Sequence, residues 1–210
     1  MKDLISKSKK VLVTPKDFFN SIKKEKGLWK PLKYLILFLL LTQLFLVFHY
    51  FENVLGMFEI NIDLSLTNYI IMYLVTTIMV FVISFIRPAI TNVFIRMFSD
   101  ENKLEDTYKA MIYGLTPDYL ATPFFVITMI FISATVWLEN PFWMVLFIIS
   151  SLITLVAAGY TLYLRVYGVA NLHKISWIVA FLCIYVFPVI LIIILEVAVL
   201  GALYSYLILL

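Results

Sequence analysis

Apolar residues run almost unbroken through five stretches of the chain, 32–51, 68–86, 119–137, 142–164 and 175–195. Each is close to the ~20 residues that an α-helix needs to cross the hydrocarbon of a bilayer. The ten-residue alternation of an outer-membrane barrel is missing. The pattern predicts an all-α, polytopic membrane protein with five transmembrane helices. Between spans two and three the polarity rises but helical spacing persists. Ile90, Val93, Phe94 and Met97 share one face, Leu104, Tyr108, Met111, Ile112 and Leu115 another, and residues 99–103 supply a turn. This reads as an amphipathic helical hairpin on the cytoplasmic side. Ahead of span one, Thr14, Pro15 and Asp17 form a helix start, with a capping hydroxyl, a proline at the first position and an acid facing the dipole. Phe18, Phe19 and Ile22 then fall on one face, with Lys16, Lys23, Lys24 and Lys26 around them. That is the pattern of a short helix lying on an anionic leaflet with its aromatics among the headgroups. A basic flank that only sets topology fits equally well.

Composition agrees: 63% of the 210 residues are hydrophobic and 14% charged, which excludes an ordinary soluble domain. Charge adds direction. Ten of the 16 Lys and Arg lie between Lys2 and Lys33, against Asp3, Asp17 and Glu25, a formal +7. Residues 52–67 hold three acids and no base, and 138–141 hold only Glu139. Arg87, Arg96, Lys103, Lys109, Arg165 and Lys174 all fall in connections on the other side. Positive loops stay inside, so the N-terminus is expected in the cytoplasm and the C-terminus outside, in the plasma membrane if the source is prokaryotic. About thirty residues precede the first apolar run and no cleavage site follows it, so it is not read as a signal peptide. The chain divides into a basic amphipathic segment, 1–30, and one membrane domain, 31–210. The last fourteen residues, 197–210, are too few to cross again and are expected to fold back on the outer ends of the bundle.

Few chemically capable groups remain. A lone Cys183 and two His build neither a disulfide nor a metal site, and no nucleophile or phosphate-loop pattern is present, so neither enzyme nor cofactor is implied. Nucleic-acid binding is disfavoured because the lysines abut a span without a recognition motif. Glu196 and His49 read as interfacial. Pro117, Pro123 and Pro188 interrupt the third and fifth spans, as broken helices do in transporters, although neighbouring helices also repair such defects. Ser150, Thr154 and Ala158 recur every four residues on span four, a spacing for close helix packing or a self-association face that would make a homo-oligomer. Arg87 and Asp118 lie equally far from the hairpin centre on its two arms, so an ion pair between them is expected, as a staple or a gate.

Taken together, several short motifs resemble the YIP family, the Ypt/Rab-interacting five-span membrane proteins, and in particular its shorter archaeal and bacterial members. They are Pro15 with Phe18 and Phe19, then Gly27, Trp29 and Pro31, then Tyr113, Gly114 and Pro117, then Tyr167, Gly168 and His173. Eukaryotic relatives carry a long cytosolic N-terminal extension that this chain lacks, and Lys30 precedes Pro31, which favours the prokaryotic type over direct Rab binding. For a chain that resembles this family the first expectation is a non-enzymatic membrane adaptor or membrane-organising protein in the lipid bilayer, with a membrane or cytosolic protein partner, and with the basic N-terminal segment, from its own pattern, on anionic lipid. The alternative is a small permease or channel component with Asp118, Arg87 and the broken helices along its path.

Overall fold

A computed structural model describes the backbone of residues 2–57, 66–100, 103–138 and 141–209, and the side chains of 5–44, 66–100, 103–130 and 142–199. Every regular element among them is helical. In order these are α1 (Lys2–Val13), α2 (Pro15–Ile22), α3 (Trp29–Met57), α4 (Leu66–Ile95), α5 (Leu104–Gly114), α6 (Thr116–Leu138), α7 (Pro141–His173) and α8 (Trp177–Phe181). A π-helical turn (Leu182–Val186) then leads into α9 (Phe187–Leu209).

Three of the helices are long and apolar enough to cross a membrane among the described residues: Leu66–Ile95, Phe142–His173 and Trp177–Val199, with mean hydropathies of 2.4, 2.3 and 3.2. Their large side chains point outward. Ile78 on α4, Val156 on α7 and Ile194 on α9 are all exposed. In water such faces would drive association, whereas in lipid they meet a matching solvent. The packed core lies instead at one end of the molecule. There α1, α2 and α5 close over the ends of α3, α4, α6 and α7, burying Val11, Phe19, Ile22, Leu35, Ile95, Tyr113, Leu164 and Leu172. The most extensive packing is α6 on α7, followed by α5 on α7 and α3 on α6.

Local chemistry explains the joints. Pro15 opens α2 at a position where its missing N–H costs nothing, with Asp17 in the first turn. Thr14 does not cap α2 with its side chain as expected; its hydroxyl donates back to the Lys10 carbonyl in the last turn of α1. Pro117 likewise sits in the first turn of α6 and breaks nothing. Pro123 lies inside α6, and Pro88 inside α4, with neither ending its helix. Pro188 is where a break is absorbed. The turn before it widens, with the Phe187 N–H reaching back to the Leu182 carbonyl, which makes room for a residue that cannot donate. Lys174, at φ 55°, ends α7 in a left-handed cap, and the Ile175 N–H donates to the Ala170 carbonyl at 3.2 Å.

One expectation fails outright. Residues 197–209 do not fold back but continue α9 to Leu209. The segment holds no proline and only Gly201 as a weak breaker, so nothing in it stops helix propagation. His49 lies outside the described side chains; Glu196 is exposed on α9.

Candidate functional site

The closed end is built around a polar relay inside an apolar shell. Ser8 of α1, Tyr34 of α3 and Thr116 at the start of α6 form a chain of hydroxyls, with Ser8 to Tyr34 at 3.0 Å and Tyr34 to Thr116 at 2.8 Å. Thr116 donates onward to the Tyr113 carbonyl at 2.6 Å, which orients the whole row. Beside it Lys109 is only 1% exposed, yet fully engaged: its ammonium meets Glu105 at 2.7 Å and Asp106 at 3.4 Å and donates to the Glu25 carbonyl. A buried ammonium is tolerable only when paired and hydrogen-bonded in this way. The Lys109 ammonium, hydrogen-bonded to Glu105, holds that carboxyl below its ordinary value, and the Gly27 N–H helps. Gly27 reaches that position with φ +80°, a conformation that favours glycine. Lys7 of α1 closes the arrangement, 3.5 Å from Glu25 and 5.7 Å from the centre of the Tyr113 ring.

A second polar cluster ties α4, α5 and α7 together. Thr107 donates to Asn92 Oδ1 at 2.8 Å, so its oxygen is left to accept from His173 Nε2 at 2.9 Å, and Ser99 donates to the His173 carbonyl at 2.9 Å. His173, the last residue of α7, is a buried tie between helices.

Phe18, Phe19 and Ile22 share one face of α2, but that face does not meet lipid headgroups. Phe18 packs edge-on against Tyr113 with centroids 5.0 Å apart, and Phe19 lies against Tyr167 and Gly168. Protein covers this face because α2 packs on α7 and, through Phe18, on Tyr113 of α5; the helical spacing of the aromatics identified the face but not its neighbour. Lys16, Lys23, Lys24 and Lys26 remain exposed on the outside.

Arg87 and Asp118 do not form an ion pair within 4.0 Å. The chain turns at Leu115, between α5 and α6, so that α6 packs on α7 and α3 rather than lying along α4. Arg165 of α7 is the larger electrostatic neighbour of both residues. The Arg87 guanidinium sits 5.5 Å from the centre of the Tyr185 ring in the π-helical turn. It lines, with Arg165 and Tyr119, a cavity of about 150 Å³. Asp118 lines a different one, of about 230 Å³, between α6 and α7 with Thr122, Thr154 and Ala158. Ser150, one turn before Thr154, is buried. Arg165 escaped the sequence reading because the apolar run ends at Leu164. The signal was present beyond it: Val166, Val169, Ala170 and Leu172 continue a helical face to His173.

A model of the Yip1 domain matches residues 9–207. The chain belongs to the Yip1 domain family. No curated protein and no solved structure matches it. In this Yip1 domain the short motifs meet at the closed end. Gly114 lets α5 cross α7 at Arg165, where a methyl group would stand 2.7 Å from Arg165 Cγ, and Gly168 does the same for the Phe19 ring.

Proposed function

We propose that the protein is a non-enzymatic membrane adaptor of the YIP type, spanning the membrane five times with its closed, basic end in the cytoplasm. The observation that carries this is the two-sidedness of that end. Its inner face is consumed by packing and the Lys109 and His173 networks, while Lys9, Lys10, Lys16, Lys23, Lys24 and Lys26 are held outward on a folded platform together with Lys30 and Lys33. Such a platform suits an acidic partner or an anionic leaflet, because charges fixed by a packed scaffold lose little entropy on binding. The turn following α4 offers a neighbouring surface through exposed Met97 and Phe98. The permease alternative gains less support, since Arg87 and Asp118 line separate cavities rather than one path.

The test is photo-crosslinking in native membranes from positions 16, 24 and 97, with positions 153 and 156 on the outward face of α7 as references. The adaptor reading expects discrete protein adducts from the first set only, and no solute flux in proteoliposomes. Substrate-dependent flux with no such adducts would replace it with the permease.

A further inference from the structure

The cavity of about 150 Å³ between α3, α4, α5, α6 and α7 contains two guanidiniums without a carboxylate partner. Arg165 is 7% exposed and its Nε has no hydrogen-bond partner. Tyr119, 9% exposed, presents an equally unpartnered hydroxyl to the same space. Arg87 completes the group. Buried donors left in this way call for an acceptor, and like charges sharing one cavity call for an anion.

Each donor is held from behind. The Arg165 stem is wedged at Gly114, the Tyr119 ring stacks on Phe38 with centroids 5.0 Å apart, and Arg87 rests over Tyr185. Asp118 is already engaged by Thr161 and lines the other cavity. With both guanidiniums lining the cavity and no carboxylate among its lining residues, the space is electropositive, which suits a phosphodiester anion. The remaining lining is apolar, including Leu39, Val80 and Ile83, and Ile83 is 57% exposed on the lipid-facing side of α4. Twenty residues of hydrocarbon counted from the far ends of α4 and α7 reach roughly to positions 85 and 161, which places both arginines at the depth of lipid phosphates.

We propose that this cavity binds a phosphate group, that of an anionic phospholipid entering from the side, with Arg87 and Arg165 as its guanidinium ligands and the Tyr119 hydroxyl as a third donor. Guanidiniums suit phosphate because their paired N–H groups match its oxygens. The site is separate from the surface lysines and does not depend on the adaptor reading.

The full-length protein, in a neutral detergent, is titrated by native mass spectrometry with dioleoylphosphatidylglycerol, with phosphate-free dioleoylglycerol and with inorganic phosphate. The expected result is one retained phospholipid, bound roughly tenfold or more weakly by Arg165→Gln and by Arg87→Gln, and unaffected by Lys16→Gln with Lys24→Gln. Saturation by inorganic phosphate alone, with the same arginine dependence, would support the phosphate site and move its source to solution. Equal affinity in the wild type and both arginine variants, or equally tight dioleoylglycerol, would overturn it. If Arg165→Gln does not fold, Arg87→Gln and Tyr119→Phe alter groups whose loss leaves no buried charge unpaired, and decide the question in its place.

Discussion

The ring of Phe19 lies directly on Gly168, so close that a β-carbon there would stand 2.6 Å from Phe19 Cε1 and 2.8 Å from Cζ. Gly168→Ala is therefore expected to cost about 1–3 kcal/mol by overpacking. Phe19→Leu in the same chain should recover part of that loss, because the smaller side chain vacates the space. Thermal unfolding of the two single variants and the double variant measures the coupling, and strictly additive losses would show that the two residues do not meet.

Lys109→Met should be among the most damaging single changes at the closed end. It leaves Asp106, itself buried, and the Glu25 carbonyl without their donor. The expected loss is about 3–5 kcal/mol. Lys103→Met changes the same charge at an exposed position and is expected to be nearly silent by comparison.

Acid should loosen the same region through Glu105. Its carboxyl is held below the ordinary value in the folded protein, so it binds a proton more readily when unfolded. The stability it contributes is fully present above the unfolded value of about 4.3 and is lost as pH falls through the lower folded value. Glu105→Gln should lower the melting temperature at pH 7 and flatten its decline below about pH 5. Parallel curves for the two proteins would remove Glu105 from the account.

Gly27→Ala tests backbone conformation alone, because nothing lies within 4 Å of the added carbon while φ is +80°. A cost of about 1–2 kcal/mol is expected. Gly27→Asn should cost less, since asparagine tolerates the left-handed region. Equal losses for the two would point to a cause other than φ.

Orientation is open to direct labelling. Cys183 is buried, and in a Cys183→Ala background single cysteines at Lys24 and Asp100 should react with an impermeant thiol reagent only after the membrane is opened. Cysteines at Asn61 and Asn140 should react in intact cells. Labelling of Asp100 from outside would reverse the topology.

What the sequence disclosed, and what it withheld, follows from the physics of each signal. Helical periodicity put Phe18, Phe19 and Ile22 on one face because that depends on local spacing alone. Whether lipid or protein covers the face depends on α5 and α7, whose Tyr113, Tyr167 and Gly168 lie far along the chain, where local spacing carries no signal of the contact. Hydropathy placed Arg165 in a loop because a hydropathy run ends at a charge, whereas a helix does not. The expected Arg87 and Asp118 pair assumed that equal distance from a turn means facing positions. The joint at Leu115 invalidates that assumption by sending α6 elsewhere.

The π-helical turn at Leu182–Val186 preserves the rotational phase of everything that follows it. Each residue advances an α-helix by about 100°, and the wide turn takes in one residue more than an α-turn over nearly the same arc, so Phe187 keeps the direction it would have in an unbroken helix. It points at Phe94 and Phe98, with ring centroids 5.3 and 6.2 Å away. Deleting one residue within the turn would close it to an ordinary α-turn and leave Phe187 near its partners, but would set Pro188 into a regular i→i−4 ladder with no room for its ring. The same deletion near Leu209 would only shorten the helix.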